Sequence, residues 1–70
     1  MIDTYKVFSE IDGKIFDPVE LRQGLELLIA KHRRDIPPEF NTKDLFELAR
    51  KKGIIAEYGN WGYKVTLPKQ

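Results

Sequence analysis

The 70-residue chain has no cysteine, a single histidine and a single serine, and each shortage removes a class of chemistry. Without cysteine there is no disulfide, no thiolate nucleophile and no sulfur ligand for a metal. His32 has no second histidine to share a metal with, and it falls on the apolar stripe of a predicted helix, where a structural or helix-end role is expected of it. Ser9 has no histidine near it in sequence to act as its base. The five glycines are scattered and spell no G-x-x-x-x-G-K-[ST] phosphate loop. Eleven carboxylates leave room for a chance pair, but none sits on an evident apolar wall that would raise its pKa. The expectation is a protein that is not an enzyme and has no metal, cofactor or small-molecule substrate. No apolar run approaches the roughly 18 residues that span a bilayer, and no basic segment leads into an apolar one at the N-terminus. A cytoplasmic protein with no membrane partner is therefore expected.

What the chain does have is the composition of one folded domain. Hydrophobic residues make up 41% of it and are spread along its length, which favours a single core over disorder. The net charge of +1 conceals an asymmetry. Residues 1–27 carry three bases against six acids, whereas residues 28–70 carry nine against five. An acidic front and a basic back can give one face that tolerates phosphate, or an ordinary mixed surface.

Two helices announce their starts. Asp17 is a good N-cap, Pro18 suits the first helical position, Glu20 can reach back to the cap, and Phe16 and Leu21 have the spacing of a hydrophobic staple. Leu21, Leu25, Leu28, Ile29 and His32 continue one stripe, so a helix over 18–34 is predicted, ending before Pro37-Pro38. Leu27 lies off that stripe. The second helix, 42–52, is capped by Asn41, carries Asp44 at its third position and is stapled by Phe40 to Leu45, with Gly53 to close it and Ile54 able to fold back on Ala49. Phe16 and Phe40 are each expected to staple a helix and to fill the core. Beyond Gly53, residues 54–58 and 63–67 are β-rich runs around Gly59-Asn60-Trp61-Gly62, which predicts a hairpin with a four-residue tip. At the N-terminus Tyr5-Lys6-Val7-Phe8 alternates and favours a strand, with Asp12-Gly13 as a type I′ turn signal. A short helix over 3–10 is the competitor, and Lys14 to Phe16 reads as a short strand in either case. The fold class is thus α+β, with two main helices, a C-terminal hairpin and a short N-terminal strand or hairpin.

Thr42-Lys43-Asp44-Leu45-Phe46-Glu47-Leu48-Ala49-Arg50-Lys51-Lys52-Gly53-Ile54-Ile55, followed by Tyr58-Gly59-Asn60-Trp61-Gly62-Tyr63-Lys64-Val65-Thr66-Leu67, resembles the recognition helix and wing of winged-helix DNA-binding domains. The resemblance covers about two-thirds of the chain. It implies a recognition helix at 43–52, a wing at 58–63, a short strand at 14–16 joining the wing's sheet, and the helix at 18–34 ahead of recognition. It also implies a helix before the first strand, which only the helical reading of 3–10 supplies. The site residues it points to are Thr42, Lys43, Glu47, Arg50 and Lys51 on the helix and Asn60, Trp61 and Lys64 on the wing. Their implied partner is double-stranded DNA, in a regulatory setting.

Projected at 100° per residue, Lys43, Glu47, Arg50 and Lys51 lie opposite Leu45 and Ala49. The cations suit phosphates and guanine edges, while Glu47 would repel phosphate unless it accepts from cytosine. Equally, Lys43, Glu47 and Lys51 at i,i+4 spacing could form a salt-bridged solvent face. A second function is open, since Trp61 at a hairpin tip and Leu27 on the far side of its helix could bind a protein partner or a second copy of the chain.

Overall fold

A computed structural model describes residues 2–68, and its first element is helical where the alternating run favours a strand. Residues Thr4–Phe8 form α1, and a 3-10 turn continues it over Ser9–Ile11. Asp3 caps it by accepting from the Lys6 N–H at 3.2 Å. Thr4, Val7, Phe8 and Ile11 are all buried. Their spacing is the helical one, and it overrides the two-residue alternation of Tyr5 to Phe8 because four buried side chains on one face outweigh a weak strand propensity.

The Asp12-Gly13 signal does mark a turn, but it is type II and not I′. Asp12 has φ −59° and ψ 131°, Gly13 has φ +82°, and the Lys14 N–H donates to the Ile11 carbonyl at 3.1 Å. The turn joins a helix to a strand, so no N-terminal hairpin forms. The strand is β1, Ile15–Phe16.

Helix α2 spans Pro18–Lys31 and α3 spans Thr42–Lys51. Both open with complete capping boxes. The Glu20 N–H donates to Asp17 at 2.7 Å and the Asp17 N–H to Glu20 at 3.2 Å; Asn41 and Asp44 exchange the same pair at 3.0 Å each. Helix α2 stops three residues short of the predicted end. His32 is its C-cap, and the Asp35 and Ile36 N–H groups both turn back onto the His32 carbonyl, which carries Ile36 into the core. Helix α3 ends in a Schellman motif, with Gly53 at φ +77° donating to Arg50 and Ile54 donating to Ala49 at 2.8 Å.

Strands β2 (Ile55–Tyr58) and β3 (Gly62–Val65) form the hairpin, and β1 pairs with β3, giving the antiparallel order β1-β3-β2. Tyr58 pairs with Gly62, so the tip is three residues, 59–61, and not four. Gly62 belongs to the ladder because the end of β1 crosses against it: a Cβ there would lie 2.5 Å from the Phe16 carbonyl oxygen. The inner sheet face and the three helices enclose Val7, Phe8, Leu21, Leu25, Leu28, Ile36, Leu45, Ala49, Ile54, Ile55 and Val65. Phe16 and Phe40 pack on the edge of this core, half-buried. The chain ends are tied together, since Tyr5 donates to the Pro68 carbonyl at 2.5 Å and Leu67 N–H to Asp12 at 2.9 Å. Among the described residues no helix is long and apolar enough to cross a membrane.

Candidate nucleic-acid interface

The amphipathic pattern of α3 decides which of its side chains reach solvent. Leu45 and Ala49 are buried, and Leu48 and Phe46 are half-buried on either side of them. Lys43, Glu47, Arg50 and Lys51 are exposed on the opposite surface, while Thr42 at the first turn is half-buried. Among the described residues no salt bridge joins Glu47 to Lys43 or Lys51, and the ion pairs are formed elsewhere, by Lys6 with Asp35 and Lys31 with Glu10. The face is therefore three unpaired cations around one unpaired carboxylate. Arg50 is the exception to free solvation, because its guanidinium carbon lies 5.7 Å from the centre of the Phe46 ring.

The hairpin contributes unevenly. Asn60 and Trp61 are exposed at the tip, with Trp61 59% accessible. Its indole lies against Gly59, whose would-be Cβ is 3.5 Å from Nε1. Tyr63 sits on the helix side of the sheet, where it meets Phe46 edge-to-face at 5.4 Å. Lys64, the next residue, must then point to the opposite side. It stands there across from Ile15 and Ala56, with Nζ 5.8 Å from the Tyr58 ring centre. The geometry thus brings Lys43, Glu47, Arg50 and Lys51 together, sets Asn60 and Trp61 at the tip, and turns Lys64 to the outer sheet face, away from the α3 set.

Leu27 is 72% exposed on α2. It lies nine residues, or about 13 Å of helix, beyond Pro18, which borders the open cleft that Trp61 lines. His32 is buried apart from 12% of its side chain; Nδ1 is 4.0 Å from Asp35 and Nε2 has no hydrogen-bond partner among the described residues. It closes a helix. The Lys31 ammonium donates to Glu10 and so holds that carboxyl below the ordinary carboxylate range. Among the described residues no group of three or more His, Asp and Glu side chains could hold a metal ion.

Three residues outside the sequence-derived set complete this surface. Arg22 of α2, Phe46 of α3 and Tyr63 of β3 line a cleft with Pro18, Leu21, Leu25, Thr42 and Lys43. The cleft depends on the meeting of α2 and α3 with β3, which no local spacing in the sequence signals. Compared with protein-family models, with curated proteins and with solved structures, the chain matches none.

Proposed function

We propose that the chain is a winged-helix module that binds double-stranded DNA through α3 and the hairpin tip. The observation that carries this reading is the outward face of α3, where Lys43, Arg50 and Lys51 are exposed and none of them is neutralised by a carboxylate among the described residues. Ammonium and guanidinium groups held on one rigid helix, with no ion-pair partner among the described residues, are free to exchange condensed counterions for phosphates. Glu47 in their midst gains a role if it enters the groove, since a carboxylate can accept from a cytosine amino group. The element order helix, strand, helix, helix, hairpin, with the first strand joined to the hairpin's sheet, is compatible with the resemblance and supports the same reading.

The test is a paired substitution. Replacing Arg50 and Lys51 together by Ala is expected to weaken binding of a labelled duplex at low salt, read by fluorescence anisotropy. Both are exposed, so the thermal midpoint is expected to change little, by under about 0.5 kcal/mol in stability. A double variant that binds duplex as well as the parent rejects the reading. The exposure of Trp61 favours a second function, capture of a protein partner or a second copy at the hairpin tip. That function predicts a blue shift of Trp61 emission on raising protein concentration or adding that partner, and none on adding DNA.

A further inference from the structure

We propose that the cleft between α2, α3 and β3 receives one large apolar side chain from an acidic segment of a partner protein. Its floor is carbon. Leu21 and Leu25 are buried beneath it and the Phe46 and Tyr63 rings, half-buried and packed edge-to-face, form its far wall. Its rim is cationic, because Arg22 and Lys43 border it and neither has an ion-pair partner among the described residues. No carboxylate lines it, although the chain has eleven. Two other clefts differ in this respect: the one at the hairpin tip is bordered by Glu57, and the one beside Arg33 and Arg34 by Asp3 and Asp35.

Size and shape choose among occupants. The cleft has a volume of about 250 Å³ and is open to solvent. Small-molecule sites run to about 300–1,000 Å³ and enclose most of their ligand. A free metabolite would be poorly covered here, whereas a single Leu, Phe or Trp side chain delivered by a peptide fits, with the peptide backbone outside. An anchor of this kind desolvates the floor, and acidic neighbours on the same segment meet Arg22 and Lys43. A DNA backbone satisfies the cations but offers nothing to the Leu21, Leu25 and Phe46 surface. Lys43 belongs both to this rim and to the α3 face, so the peptide and a duplex compete for it. The proposal does not depend on DNA being bound.

The probe is a display library of random twelve-residue peptides selected on the full chain, with the winning peptide then synthesised. Enrichment of one large apolar residue flanked by Asp or Glu is expected, together with amide shift changes in ¹H–¹⁵N spectra at Arg22, Thr42, Lys43, Phe46 and Tyr63. Arg22→Glu, an exposed change, is expected to leave the melting curve intact and to reduce peptide affinity by about tenfold or more. Arg50→Ala with Lys51→Ala is expected to spare the peptide, which separates this site from the DNA face. The proposal is overturned if no peptide is enriched, if the enriched set is basic or lacks an apolar anchor, or if shifts map to Trp61 or Leu27. It is equally overturned if Arg22→Glu binds the peptide as well as the parent.

Discussion

Two glycines show how differently one side chain's absence can matter. Gly53 needs its freedom because α3 closes through a residue at φ +77°, while nothing lies within 4 Å of where its Cβ would be. Gly62 needs no special dihedral, but its Cβ would meet the Phe16 carbonyl at 2.5 Å, and backbone cannot step aside as a side-chain tip can. Gly53→Ala is expected to cost about 1–2 kcal/mol, and Gly53→Asn less, since Asn visits the left-handed region. Gly62→Ala should cost about 1–3 kcal/mol or more through overpacking, and Gly62→Asn should cost no less. Urea midpoints of the four variants check this, and recovery by Asn at position 62 would refute the close approach as the reason for glycine there. Trp61 is governed by solvent in place of sterics. With 59% of its surface accessible and Gly59 beside the ring, its emission should resemble that of tryptophan in water and be quenched readily by iodide. Duplex at low salt should reduce that quenching if the tip touches DNA, because a wing lies along the backbone or in the minor groove.

At the scale of elements, what was legible in the sequence was what is local. The starts of α2 and α3 were readable because a capping box involves only residues three positions apart, and Asp17 with Glu20 and Asn41 with Asp44 carry the whole signal. The end of α2 was not readable to the residue, because it is set by the burial of Ile36 in a core assembled from distant segments. Helix α1 is the sharper case. Five residues are too few for propensity to speak, and Asp3 as a cap with Thr4, Val7, Phe8 and Ile11 on one face was the available signal. The outward face of α3 followed from its 100° period alone, but the cleft needed Arg22, Phe46 and Tyr63 from three elements and so needed the fold. This changes which aromatic matters most. Phe8 is fully buried, whereas Phe16 and Phe40 are half-buried, so Phe8→Ala should cost about 3–5 kcal/mol and the other two about 1–3 kcal/mol each. Thermal midpoints that fall most for Phe16→Ala or Phe40→Ala would contradict this ranking.

On the scale of the whole molecule, the acidic first 27 residues and the basic remainder do not cancel each other on α3. The two lysine–carboxylate pairs that bridge the halves, Lys31 with Glu10 and Lys6 with Asp35, use no α3 residue. Its cations are therefore left for a polyanion, and their number fixes how binding must respond to salt. Three of them, Lys43, Arg50 and Lys51, share the face, and Lys64 points away from it. Each phosphate neutralised releases condensed counterions, so three contacts give a slope of log K against log salt of about −3, or roughly a fortyfold loss between 50 and 200 mM. Two copies bound side by side on one duplex would double the slope to about −5 or −6 and raise the loss to the order of a thousandfold. Anisotropy titrations across that range distinguish the cases. A slope near −3 means one copy engaging its α3 face, and a slope near −6 means a dimer on DNA. The Arg50→Ala and Lys51→Ala pair should then remove about two units from the first slope and about four from the second. A slope near zero, with binding retained, would mean that phosphate contacts do not hold the complex, and that the cations of α3 serve the solvent.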